Sequence, residues 1–142
     1  MLLFLKYMRF WVTISNIKKE VAVVSELAHK QLDIVMSAFI EKCKTLFGNK
    51  LSDVRLFGSY ARGDYCGNSD IDVMVILDMD TDEIRRNRSG ICQIASDIDL
   101  THNVNIMPVL QSKEEYEQRK SFGFYRNVEL EGVSKYARQA HV

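Results

Sequence analysis

Asp70 and Asp72 are the residues of this chain best placed to do chemistry, in the run LFGSYARGDYCGNSDIDVMVIL between Leu56 and Leu77. Ile71–Leu77 is short, apolar and rich in β-branched residues, which predicts a strand. Strand side chains alternate between faces, so Asp70 and Asp72 share one face while Ile71, Val73, Val75 and Leu77 line the other. Two carboxylates that close repel each other, and a divalent cation between them resolves the repulsion. Mg²⁺ (or Mn²⁺), completed by water and substrate phosphate, suits such oxygen ligands. Upstream, Val54–Phe57 predicts a second strand that ends in Phe57-Gly58-Ser59. Gly58 permits a turn closed to other residues, and Ser59-Tyr60-Ala61-Arg62 opens a short helix. Its free N–H groups and the Ser59 hydroxyl would meet phosphate. Arg62, one turn in, is placed to reach a phosphate or to pair with Asp64.

Gly58-Ser59, the ten residues Tyr60 to Ser69, and Asp70-Ile71-Asp72 resemble the signature of the DNA polymerase beta-type nucleotidyltransferases: Gly-Ser, ten residues, Asp-x-Asp. At this length the chain is most similar to the minimal nucleotidyltransferases, single-domain proteins often paired as antitoxins with HEPN-type toxins. The resemblance covers about Leu51 to Tyr136 and is sharp in the motif, with FYRNVELEG resembling that family's C-terminal helix. It implies an α/β (α+β) fold, a small mixed β-sheet flanked by helices, with ATP or another nucleoside triphosphate over the strand ends. Asp70 and Asp72 would be the catalytic metal ligands, and Gly58, Ser59 and Arg62 would bind the nucleotide. The family's third carboxylate belongs on the next strand, where the matching position here is Asn105, an amide that can be neither base nor anionic ligand. Asp99 precedes that strand by several residues and either substitutes for it or caps a turn.

The rest of the chain must position this site. Its 142 residues bury roughly 68% of their unfolded surface, enough for one core. The expected organisation is an apolar N-terminal extension, 1–19, and a single nucleotidyltransferase domain, 20–142. Nineteen basic and nineteen acidic residues cancel, so no bulk positive field announces nucleic acid as the main partner. Cys43, Cys66 and Cys92 follow no metal-ligand spacing and suit reduced thiols of a cytoplasmic protein. Met1 to Ile14 is apolar but interrupted by Lys6 and Arg9, too short to span a membrane and without a cleavage site. A helix packed on the domain or on a partner, an interfacial stretch and an upstream extension all fit it.

Glu20 to Phe47 predicts an amphipathic helix with the stripe Val24, Ala28, Leu32, Val35, Phe39, Cys43 and Leu46, stopped by Gly48. Asp80 and Glu83 predict a capping box for a helix to about Ser96. Arg85, Arg86 and Arg88 near its start suit a solvated face, or else a nucleotide, RNA or an acidic partner. Val104–Leu110 predicts a third strand, which Pro108 assigns to an edge. Ser112 and Glu115 predict a second capping box, on a helix to about Lys120. Phe122–Glu131 predicts the last helix, ended by Gly132, with Phe122 and Tyr125 turned to the core.

Two functional readings follow. In the first the protein transfers a nucleoside monophosphate from ATP to a hydroxyl, most readily on a partner protein such as a HEPN-type toxin. In the second it is a weakly active or inactive nucleotide-binding antitoxin that works by direct binding. A small-molecule transferase ranks third, because an acceptor domain is lacking.

Overall fold

The structure, a computed structural model, describes residues 1–139. The chain divides into two compact units, Met1–Val35 and Met36–Val142. Helix α1, Leu2–Phe47, supplies the first unit and enters the second, so the apolar start is helical and continuous with the predicted amphipathic helix. It ends where glycine allows it to: Gly48 follows at φ +54°, a region unfavourable to side chains. Of the predicted stripe, Leu32, Val35, Phe39 and Cys43 are buried, whereas Val24 and Leu46 are exposed. Burial pushes the Cys43 thiol up to about 12, so it stays protonated.

In the second unit β1 (Leu51–Phe57), β2 (Ile71–Leu77), β3 (Ile106–Ser112) and β4 (Val133–Ala137) form one sheet in the order β3-β2-β1-β4. β1 is antiparallel to β2 and β4, while β2 and β3 are parallel, so the sheet is mixed. β2 is central, and its apolar run is buried on both faces from Val73 to Leu77. Met74 and Ile76 pack with Tyr116 and Val128 from α4 (Lys113–Arg119) and α5 (Gly123–Glu131). By alternation Ile71, Val73, Val75 and Leu77 face the other way, the side of α3 (Thr81–His102), whose stripe Ile84, Ile91, Ala95 and Ile98 is buried.

Several expectations are corrected. α3 runs six residues past Ser96, because Ile98 falls on its buried stripe and Asn103, left-handed at φ 53°, ends it. Its Asp80–Glu83 capping box is present. Ser112 does cap α4 by position but makes no side-chain cap bond, and Glu115 instead accepts from Gln111 at 2.8 Å and Thr81 at 3.2 Å. Phe122 is 71% exposed, since it precedes α5 as its N-cap and lies off the packed face. β4 was not expected. It is mostly exposed, and pairing with β1 rather than apolar content makes it a strand. Pro108 does lie on an edge strand, β3, where a missing donor costs least.

Candidate active site

The site lies at one end of the sheet, where β1 finishes and β2 and β3 start. Phe57, the last residue of β1, pairs with Asp72, so the next residue, Gly58, is carried over the Asp72 side chain. Gly58 has φ +71°, and a Cβ there would collide with the Asp72 carboxylate. Conformation and space therefore both demand glycine. Ser59 follows in α2, Gly58–Arg62, which Gly63 ends at φ +81°.

The ten-residue spacing then has a mechanical explanation. Gly63 and Asp64 donate backbone N–H groups to the Ser59 carbonyl, and the Tyr60 and Tyr65 rings stack at 4.3 Å. A tight turn closes as the Ser69 N–H donates to the Cys66 carbonyl at 2.9 Å and the Cys66 N–H to Ser69 Oγ at 2.8 Å. This loop returns the chain to Asp70 beside its starting point. The Ser69 hydroxyl also lies 3.4 Å from Cys66 Sγ and holds that exposed thiol below its ordinary pKa.

Asp70 and Asp72 come together as the strand period requires. Burial first, and the Asp70 charge second, hold the Asp72 carboxyl above the usual carboxylate range, with Arg62 acting in the opposite sense. Arg62 itself is engaged: Nε meets Asp64 Oδ2 at 3.2 Å and Nη1 meets Glu131 Oε2 at 3.5 Å. Of its two expected partners, the structure places Asp64 beside it. Glu131, the last residue of α5, was not anticipated.

Asn105 takes the position expected from the sequence. Parallel pairing sets Ile71 against Ile106, which brings Asn105 beside Asp70. The Asn105 carbonyl accepts from the Ile71 N–H at 2.8 Å, and its Nδ2 donates to Asp70 Oδ1 at 2.6 Å. Met107, opposite Asp72, is next on that face of β3, so this strand brings no carboxylate to the pair. Asp99 does not substitute, because its Oδ1 accepts from the Ile106 N–H at 2.8 Å and anchors the start of β3. Among the described residues no group of three or more His, Cys, Asp or Glu could hold a metal ion. The two carboxylates nonetheless suit a single oxygen-ligated divalent cation, since burial and mutual repulsion already oppose ionisation of Asp72.

Sequence reasoning missed the clasp that fixes α5 beside the site. Arg55 of β1 pairs with Asp53 at 3.0 Å and Glu129 at 2.8 Å, and the Tyr116 hydroxyl donates to Glu129 at 2.5 Å. Phe57 meets Phe124 edge to face at 5.5 Å. By spacing Glu129 shares a helical face with Phe122 and Tyr125, but only Arg55 opposite gives it its role there.

A glycine-serine turn over two strand carboxylates, on a mixed sheet with flanking helices, agrees in fold with a family of nucleotide-handling proteins. The chain belongs to the nucleotidyltransferase domain family, whose model matches residues 36–132, within the second compact unit. It is 32% identical over 94 residues to a candidate protein adenylyltransferase of Methanocaldococcus jannaschii, covering 66% of this chain and 87% of that one. A second so named in that organism is 36% identical over 80 residues, 56% of this chain and 78% of that one. The crystal structure of a candidate nucleotidyltransferase from Sulfolobus solfataricus has the same fold. Its TM-score is 0.50 at 20% identity, over 78% of this chain and 86% of that one.

Proposed function

We propose that this protein is a metal-dependent nucleotidyltransferase that moves adenylate from ATP to a hydroxyl of a partner protein. The observation that carries this reading is the pair Asp70 and Asp72 at the head of β2, with Gly58 over Asp72 and Ser59 next to it. The names of the relatives favour adenylate as the group and protein as the acceptor. The motif's resemblance to minimal nucleotidyltransferases favours a HEPN-type toxin as that protein, and hence a cytoplasmic setting. No helix among the described residues is long and apolar enough to cross a membrane.

In this reading Asp70 and Asp72 hold Mg²⁺ or Mn²⁺, and Asn105 orients Asp70 for it. The bound cation supplies charge neutralisation of the triphosphate and orients attack at phosphorus. Gly58 leaves room for the terminal phosphates, the Ser59 hydroxyl donates to them, and Arg62 exchanges a carboxylate for a phosphate oxygen. The acceptor oxygen bonds to the α-phosphorus as the bond to pyrophosphate breaks, and the acceptor proton leaves to solvent or phosphate.

A second reading rests on Asn105: with an amide where the family has its third carboxylate, the protein is a weakly active or inactive antitoxin acting by direct binding. One experiment tests both. The protein is incubated with labelled ATP, Mg²⁺ and the product of the adjacent gene, while calorimetry follows ATP binding with and without Mg²⁺. Label on the neighbour supports transfer, and a stable unlabelled complex supports direct binding. ATP affinity that is equal in EDTA would remove the metal-bridged site from both.

A further inference from the structure

We infer that the Met1–Val35 unit is one strand of a coiled coil whose other strand is a second copy of this chain. Tyr7, Phe10, Ile14, Ile17, Val21 and Val24 recur in alternating steps of three and four. Leu3 and Ala28 extend the series at either end. All lie within α1, and the six are 36–70% exposed. The outward positions beyond Ile14 carry Ser15, Asn16, Lys19, Glu26 and Lys30 beside Ala22 and the exposed Val23, so the back of the seam there is mixed and mostly polar.

The period identifies the occupant. A strict seven-residue repeat departs from a straight helix line by ~20° per heptad, so three heptads swing the seam by ~60°. A flat surface such as lipid would meet that seam over only part of its length, whereas a second supercoiled helix follows it throughout. The seam is also self-complementary, which is what a two-fold interface between identical chains requires. Its area suffices. Each buried aromatic withdraws ~150–250 Å², so Tyr7 and Phe10 of both copies, with the aliphatic positions between, approach the ~1,200–2,000 Å² of a stable interface. Residues 2–24 have no such cover within their own unit, where large apolar side chains from Leu2 to Leu27 stay exposed.

Sedimentation equilibrium of the full chain across a dilution series tests this. The expected result is a species of twice the chain mass that dissociates on dilution, with helical circular dichroism falling in parallel. Ile17→Lys, and separately Val21→Asp, should be monomeric throughout with the Met36–Val142 unit still melting cooperatively, since both native side chains are exposed. Lys19→Ala, on the outward side, should keep the dimer. A parent that is monomeric at its highest soluble concentration would overturn the inference, whether or not it floats with anionic vesicles. So would seam variants that remain dimeric, or Lys19→Ala dissociating as far as they do.

Discussion

Gly58 and Asp72 form the closest-fitting pair in the site, and Gly58→Ala tests both demands on it. A side chain at positive φ costs ~1–2 kcal/mol, to which displacement of Asp72 adds. A lower melting temperature together with lost Mg²⁺-ATP stabilisation is expected, and unchanged ATP binding would contradict the phosphate assignment. The carboxylates separate by sign. Asp72 has its pKa raised by burial and by Asp70, so its ionisation opposes folding: its contribution is favourable below the unfolded value and is lost as pH rises through the folded one. Asp72→Asn should therefore match or exceed the parent in apo melting temperature at neutral pH, and this advantage should vanish as the solution is acidified. Asp70→Asn keeps an oxygen for the 2.6 Å bond from Asn105 but strips that bond of its charge assistance, and should melt slightly lower. Both variants should lose the gain from Mg²⁺-ATP, ~2.7 kcal/mol at a hundredfold the dissociation constant. Retention of that gain would remove the pair from the site.

At the scale of elements, β3 decides how much metal chemistry the site can support. Asp99→Ala should cost about 0.5–1.5 kcal/mol, the worth of one hydrogen bond, and loosen the start of β3 while ATP binding still depends on Mg²⁺. If instead it abolished metal dependence with stability intact, the capping role of Asp99 would be wrong. Asn105→Asp places a third carboxylate beside Asp70. Its apo form should melt below the parent through like-charge repulsion, and Mn²⁺ alone should then raise the melting temperature more than it does for the parent. β2 was legible to the residue because an apolar run broken only by Asp72 stands between Asp70 and Asp78. β4 was not, since VSKYA carries little strand signal and exists as a strand through its pairing with β1. The meeting of Asn105 and Asp70, 35 residues apart, needs the parallel register of β2 and β3. Pro108 and the predicted third strand supplied only the neighbourhood.

At the scale of the molecule, a balance of nineteen positive and nineteen negative side chains leaves local charge, rather than net field, to recruit a triphosphate. The guanidinium of Arg62 spans Asp64 and Glu131, so it is shared between the loop of the signature motif and the far end of α5, one residue before Gly132 and β4. A guanidinium given up to a phosphate cannot also hold Glu131. With Arg62 on a phosphate, as proposed above, occupancy of the nucleotide site and fastening of α5 would draw on one group, and thermodynamic linkage would make their antagonism mutual. ATP with Mg²⁺ should quicken amide hydrogen exchange around residues 129–133. By the same reciprocity, a partner that pins Glu131 against Arg62 would loosen the chain's hold on nucleotide from outside the pocket.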